Sequence, residues 1–178
     1  MENMVYEAIN TFLEKTLKAD MKQKTSLKYL NIDCLSVGNT HNIWKFAGTN
    51  PTAVTKAQIR CKILLGSYTL QSNRHKFNQY EVDAICPLCS VGEEDRFHFV
   101  ITCQTLQCIR QPFISSLLKV TEKEPSCGNL SDSDLFRLIL DSNYIQCMSA
   151  ESRRNIELIS NGLCYALHVA RSSMLSSQ

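Results

Sequence analysis

Three cysteines and one histidine near the middle of this 178-residue chain have the spacing of metal ligands. Cys86, Cys89, His98 and Cys103 form a C-x2-C-x8-H-x4-C pattern. Thiolate sulfur and neutral imidazole nitrogen are donors that tetrahedral zinc prefers, and four protein ligands leave no coordination position for water. The pattern therefore predicts a structural Zn²⁺ site and not a catalytic one.

The residues between these ligands fit a metal-binding turn. In a Cys-x2-Cys turn the backbone N–H groups can point toward both sulfurs and spread the negative charge of the thiolates. Pro87 stiffens the turn, and Gly92 allows the chain to fold back. We expect the acidic loop 92–95 to be exposed. The apolar residues of segment 97–101 should pack the cluster onto the rest of the chain.

Two other interpretations of these cysteines stay open. Cys86 and Cys89 can be a redox pair of the thioredoxin type, which requires a helix beginning at the pair within a βαβ unit. A Gly-Glu-Glu-Asp loop follows instead, and no strand–helix–strand pattern surrounds it. The four residues can also be small buried side chains, with His98 a hydrogen-bonded core histidine. Cys108 is close enough in sequence to be a spare ligand.

Composition indicates a globular chain, because 44% of the residues are hydrophobic and 20% are charged. The first residues lack the features of a secretory signal, and no apolar run approaches the roughly 20 residues needed to span a bilayer. We therefore expect an intracellular protein, nuclear or cytoplasmic, without membrane association. The nine cysteines are odd in number and scattered, so most should be reduced thiols.

Charge is distributed unevenly along the chain. Residues 1–80 contain eleven Lys and Arg against five Asp and Glu, a net charge of +6, whereas residues 81–178 contain eight against twelve, a net charge of −4. The basic half can face an anionic partner, but an ordinary charged surface can also divide in this way. The sequence pI of about 8.1 lies below the value near 9 that is typical of nucleic-acid-binding domains.

Apolar residues recur with helical periodicity through most of the chain. Segments 4–17, 51–65, 104–120, 131–140 and 151–174 read as helices. In segment 4–17 the apolar stripe should pack against a core, and in segment 51–65 Lys56 and Arg60 should share a polar face. We predict a mainly α fold, a helical domain with a small CCHC zinc-binding knuckle or hairpin inserted in the middle.

Local residue types mark the ends and breaks of these helices. Asn50 and Pro51 fit a helix start, Gly66 fits a helix end, and Ser131 with Asp134 resembles a capping box. A proline at position 112 predicts a kink or two abutting helices, and residues 121–131 predict a loop. We divide the chain into segments 1–50, 51–120 and 121–178, which together should form one compact domain.

Residues 57–110 resemble the zinc-binding segment that follows the polymerase domain in LINE-type (non-LTR) retrotransposon reverse transcriptases. The resemblance lies in an ordered series: a helix ending at Gly66, a basic turn at 74–76, Cys-Pro-Leu-Cys, the acidic loop, His98-Phe99, Cys103, and Arg110 in the next helix. It covers about a third of the chain. The combination is more specific than a single CxxC.

The resemblance implies an appendage that handles nucleic acid, with Zn²⁺ bound by the four ligands. The basic residues of and around the segment become candidate phosphate contacts: Lys56, Arg60, Arg74, His75, Lys76 and Arg110. Tyr68 or Phe77 can stack on bases. The polymerase does not carry over, because no aromatic-x-Asp-Asp sequence and no endonuclease-type cluster of acids and histidines is present. The chain resembles a C-terminal piece of such a polyprotein, either excised, separately expressed or domesticated by a host.

Three functions follow from these observations. The first is a non-catalytic, zinc-stabilised module that binds RNA or DNA with low specificity and strong salt dependence. The second is a zinc-stabilised protein-interaction or scaffold domain, which should expose an apolar patch on segment 151–174 at Leu158, Tyr165 and Val169. The third is a thiol oxidoreductase that cycles a Cys86–Cys89 disulfide.

Overall fold

Helices dominate the structure, a computed structural model that describes residues 2–78 and 81–177. The α-helices of these two ranges are α1 (Glu2–Lys22), α2 (Asn42–Lys45), α3 (Pro51–Leu64), α4 (Gln71–Phe77), α5 (Gln107–Thr121), α6 (Asp132–Leu140) and α7 (Ala150–Ser176). Extended pairing over the same residues is limited to an isolated antiparallel bridge between Ile85 and Glu93. The predicted mainly α fold with a Cys/His cluster in mid-chain is confirmed. No helix of the described ranges combines the length and apolar character needed to cross a membrane.

Helix α7 is the central element of the fold. It packs along α3 on one side and along α5 on the other, and its buried residues Ile156, Leu163 and Leu167 join the main core. Gly162 allows α5 to approach closely, since a Cβ at this position would lie 3.1 Å from the ring of Phe113. The segments before and after the Cys/His cluster therefore share one hydrophobic core.

The helix boundaries agree with the capping residues read from the sequence. The Asn50 side chain accepts the Ala53 N–H at 3.1 Å, and Gly66 has a φ of +73° just after α3. The capping box of Ser131 and Asp134 is present at the start of α6. Helix α5 continues through Pro112 as one helix, so the alternative of two abutting helices is wrong.

The apolar stripe of α1 faces solvent, contrary to the prediction that it packs against a core. Val5, Ile9, Phe12 and Leu13 are 49–69% exposed. The half-buried residues of α1 lie on its opposite, largely polar side: Asn10, Glu14, Lys18 and Met21. Helical periodicity located the stripe correctly, but it carries no information about which side of the helix meets the rest of the chain.

Candidate metal centre

The four predicted ligands converge on one point. Their donor atoms all lie within 4.8 Å of one another, with 4.0 Å between the Sγ atoms of Cys86 and Cys103 and 3.3 Å between Cys89 Sγ and His98 Nε2. Tetrahedral zinc with Zn–S bonds of about 2.3 Å and Zn–N bonds of about 2.0 Å separates two sulfurs by about 3.8 Å and sulfur from nitrogen by about 3.5 Å. A disulfide would need about 2.05 Å. The cluster therefore has the dimensions of a metal site.

A tight turn positions Cys86 and Cys89. The Cys86 N–H donates to the Gly92 carbonyl at 2.8 Å, and the Ser90 N–H donates to the Cys86 carbonyl at 2.9 Å. Backbone N–H groups of the turn also point at the sulfurs, those of Leu88 and Cys89 at Cys86 and those of Val91 and Gly92 at Cys89. The effect of these N–H groups, which lower the pKa of both thiols, agrees with the N–H···S interactions expected of the turn.

A π-helical turn at His98–Thr102 brings the other two ligands together. In an α-helix five residues advance about 500°, which would leave Cys103 about 140° away from His98 around the axis. Here the Cys103 N–H donates to the His98 carbonyl at 2.8 Å, the wider i to i+5 closure of a π turn. The His98 Nδ1 lies 3.3 Å from Thr102 Oγ1, and its Nε2 faces the sulfurs. An α-helical turn would not give this arrangement.

Arg110 fixes the backbone on the far side of Cys103. Its side chain is buried, and its guanidinium donates to the carbonyls of Val100 at 2.7 Å and Cys103 at 2.9 Å. The prediction that Arg110 contacts phosphate is wrong, because its N–H groups are used inside the fold. The Thr105 hydroxyl donates to the Leu88 carbonyl at 2.9 Å and connects the two halves of the cluster.

Glu94 is buried, whereas Glu93 and Asp95 on either side of it are exposed as predicted for the acidic loop. Its carboxylate accepts two hydrogen bonds from Arg171 of α7, each of 2.7 Å, and one from the Gln71 N–H of α4 at 2.8 Å. A buried carboxylate is stable only when paired in this way. The metal-binding loop is thus attached to two helices that lie far from it in sequence.

The pKa values of the four candidate ligands are shifted in different directions. Burial raises the pKa of Cys86 to about 12, and it also raises the pKa of Cys103. Burial acts in the same direction on Cys89, but the N–H groups that point at its sulfur bring its pKa below the usual value. Burial lowers the pKa of His98, which keeps the imidazole neutral at pH 7 and able to coordinate a metal.

Arg60 and Tyr68, two more of the residues predicted to contact nucleic acid, lie inside the protein. Arg60 is 0% exposed and forms an ion pair with Glu157, and its Nε donates to the Ile139 carbonyl at 2.6 Å. Tyr68 is buried, and its hydroxyl lies 2.9 Å from Nδ1 of His168. Phosphate contact by Arg60 and base stacking by Tyr68 are therefore wrong predictions.

The remaining candidates are accessible to different degrees. Arg74, Lys76 and Phe77 are exposed on α4, Lys56 is half-buried on α3, and His75 is half-buried with its Nδ1 against the Val82 carbonyl. Cys108, considered as a spare ligand, is exposed and is not a member of the four-residue cluster. The structure does not bring all the basic candidates together, but it leaves Arg74 and Lys76 of α4 at the surface.

Sequence reasoning missed the polar contacts that hold the cluster in place. Arg96, which precedes the π turn, donates to the carbonyls of Ile63 and Leu64 at the end of α3, at 3.3 and 2.8 Å. It also lies over the ring of Tyr29. Partners this far apart in sequence have no local pattern, so neither Arg96 nor the Glu94–Arg171 pair could be identified from spacing.

The chain was also compared with known proteins. No protein-family model matches it, and no curated protein and no solved structure is significantly similar to it. The resemblance to LINE-type reverse transcriptases is therefore carried by the residues quoted for it and by no other similarity.

Proposed function

We propose that Cys86, Cys89, His98 and Cys103 bind one Zn²⁺ as a structural centre, and that the folded chain is a non-catalytic nucleic-acid-binding module. The observation that carries the metal assignment is the convergence of the four donor atoms within 4.8 Å. Three sulfurs and one imidazole are a soft donor set suited to zinc, and four protein ligands complete a tetrahedron. Such a centre stabilises a fold and does not activate water.

Support for nucleic-acid binding comes from α4, whose first residue is hydrogen-bonded to the metal-binding loop. The first residue of α4, Gln71, donates its N–H to Glu94 of that loop, and the same helix exposes Arg74, Lys76 and Phe77. Cations neutralise backbone phosphates, and Phe77, with 85% of its surface exposed, can stack on a base. We call the surface formed by Arg74, Lys76 and Phe77 the α4 surface. The resemblance to LINE-type zinc segments points to the same class of partner, RNA or DNA read with low specificity.

The test combines metal analysis with nucleic-acid binding. Purified protein should contain one zinc per chain, and a filter-binding titration with single-stranded RNA should show affinity falling steeply with salt. Substituting both cations of the α4 surface, Arg74→Gln with Lys76→Gln, should lower the salt slope by roughly 1 to 2. The matched control is Lys119→Gln with Lys123→Gln, which should leave the slope unchanged; both lysines are exposed, Lys119 in the last turn of α5 and Lys123 just after it.

Two results would reject the proposal separately. A folded protein that contains no zinc rejects the metal centre. Stoichiometric zinc with a binding response that does not change with salt rejects nucleic acid as the partner.

A second candidate function is a protein-interaction domain, and the exposed stripe of α1 favours it. Val5, Ile9, Phe12, Leu13 and Leu17 are each about half or more exposed and follow one another along the helix. Contiguous apolar surface of this kind marks interaction sites in soluble proteins. On α7, Leu158 and Val169 are also exposed, as expected for this function, whereas Tyr165 is half-buried and packs against the core. This candidate predicts stoichiometric zinc without salt-dependent RNA binding.

A further inference from the structure

A small polar cleft lies beside α3, the loop that follows α3, and the last part of α7. Its volume is about 240 Å³, and all but one of its lining residues are polar: Lys62, Ser67, Tyr68, Thr69, His168, Arg171 and Ser172, with Ile59 the apolar one. Pockets for larger ligands are usually about 300–1,000 Å³, so this one is the size of a small group. None of the α4 surface residues lines it.

The lining of this cleft is positive. Lys62 and Arg171 are cations, the serines and threonine supply hydroxyl groups, and no carboxylate is among the lining residues. Glu94 pairs with Arg171 but is itself buried and does not line the cleft. Lys62 has no ion-pair partner within residues 5–78 and 81–177. Lys62 and Arg171 line the same cleft as His168, and burial together with the charges of these two residues lowers the pKa of the imidazole.

The Tyr68 hydroxyl pairs with one ring nitrogen of His168, since its oxygen lies 2.9 Å from Nδ1. When this hydroxyl donates to Nδ1, the neutral ring carries its proton on Nε2. This atom has no hydrogen-bond partner in the part of the chain that the structure describes, so its N–H is left to a ligand.

We propose that this cleft binds a phosphate group, with the Lys62 ammonium and the His168 Nε2–H as its principal donors and the hydroxyls of Ser67, Thr69 and Ser172 around it. A tetrahedral oxyanion suits a site of this volume that offers several donors and no competing acceptor carboxylate. The site goes beyond the proposed function, because it uses none of the α4 surface. The phosphate can be free phosphate or the terminal phosphate of a nucleic acid, which present the same oxygens.

The direct experiment is an NMR titration of the zinc-loaded full chain with inorganic phosphate, followed at the imidazole resonances of His168. Chloride at matched ionic strength is the salt control. We expect a saturable shift of the His168 resonances, and Lys62→Gln should weaken the affinity at least fivefold. Lys119→Gln, on a different helix, is the matched control and should leave the affinity unchanged. Both lysines are exposed, so neither substitution should disturb folding.

A short RNA carrying a 5′-phosphate, compared with the same RNA carrying a 5′-hydroxyl, identifies the source of the phosphate. Displacement of bound phosphate only by the phosphorylated RNA supports a nucleic-acid terminus, and displacement by neither supports free phosphate. A non-saturating shift, or equal affinity in wild type and Lys62→Gln, overturns the inference. The combined Arg74→Gln and Lys76→Gln variant should still bind phosphate normally, so failure of the α4 surface and failure of this cleft are distinguishable.

Discussion

The carboxylate of Glu94 receives both of its 2.7 Å hydrogen bonds from the guanidinium of Arg171, which lies 77 residues later in the chain. Glu94 belongs to the loop that follows the Cys86–Cys89 turn, and Arg171 belongs to α7, the helix that contacts α3 and α5. A two-point contact of this kind fixes orientation as well as distance. The metal-binding loop therefore has a defined position on the helical body that does not depend on the metal ligands alone.

Breaking this pair should destabilise the whole fold. Glu94→Gln removes the charge that compensates Arg171 inside the protein, and removing one partner of a buried ion pair typically costs about 3–5 kcal/mol. Urea unfolding of the zinc-loaded protein measures the change. Glu93→Gln is the control, because Glu93 is exposed, and its effect should stay within about 0.5 kcal/mol.

A double-mutant cycle separates the pair from other effects of the substitution. Glu94→Gln combined with Arg171→Met should be less destabilising than the sum of the two single variants. Each single variant leaves one buried charge unpaired, whereas the double variant contains neither charge. Strict additivity of the three unfolding free energies would show that the pair does not couple the loop to α7.

Removal of the metal should loosen the segment between α4 and α5. Cys103→Ser replaces a buried ligand, so this variant should lose zinc and at least roughly 3 kcal/mol of stability. This loss is a modest part of the apparent binding free energy of zinc-finger peptides for their metal, which is about 10–16 kcal/mol. Inductively coupled plasma analysis and thermal unfolding before and after a strong chelator provide the measurements. A fall of roughly 2–4 °C in Tm per kcal/mol is expected for a chain of this size.

Cys108→Ser is the matched control for this prediction. Cys108 lies only five residues after Cys103 but is exposed and outside the cluster, so its replacement should keep the zinc and the Tm. Loss of zinc in both variants would indicate that Cys108 is a ligand after all. Retention of zinc in both would contradict the assignment of Cys103.

Arg60 should affect folding and not nucleic-acid binding. Arg60→Met leaves Glu157 charged and unpaired at a position that is 0% exposed, so we expect a loss of about 3–5 kcal/mol in the free energy of unfolding. Replacing both residues, Arg60→Met with Glu157→Leu, should recover much of this loss. The measurement is urea unfolding at pH 7, with RNA filter binding of the folded fraction beside it. A stable Arg60→Met variant that no longer binds RNA would contradict the buried role.

The sequence predicted the elements that depend on local chemistry. The capping residues Asn50 and Ser131 form the hydrogen bonds expected of them, and the ligand spacing identified the Cys/His cluster. These predictions succeeded because each rests on residues within a few positions of one another. The π turn between His98 and Cys103 was missed, because a five-residue spacing does not show which helical hydrogen bond closes it.

The predictions that failed depend on tertiary contacts. Arg60 and Arg110 read as surface cations because basic residues usually lie at the surface, but Glu157 and the Cys103 carbonyl bind them inside. Glu94 was predicted to be exposed but is buried, and the apolar stripe of α1 was predicted to be buried but is exposed. In both cases burial depends on which distant part of the chain packs against the residue. A single sequence shows a charge and its periodicity, but it does not show the partner that makes burial of that charge favourable.

The pH dependence of stability should reveal the buried carboxylate of Asp141. Burial alone would raise its pKa, but hydrogen bonds from His41, from the Asn31 N–H at 2.8 Å and from the Asn143 N–H at 3.0 Å lower the pKa below its usual value. Because the folded pKa is below the unfolded one of about 3.9, the ionised carboxylate stabilises the fold above about pH 5. That contribution is lost as the pH falls through 3.9 toward the folded pKa.

Comparison of wild type with Asp141→Asn isolates this contribution, because both proteins lose metal at low pH in the same way. At pH 7 the variant should be less stable by about 1.5–3 kcal/mol, the range for hydrogen bonds to a charged group. The difference should shrink as the pH is lowered from 5 to 3, measured by urea unfolding at each pH. Asp20→Asn, at an exposed position of α1, should change stability at pH 7 by less than about 0.5 kcal/mol. A difference between wild type and Asp141→Asn that stays constant across this pH range would show that the Asp141 carboxylate does not titrate below its unfolded value.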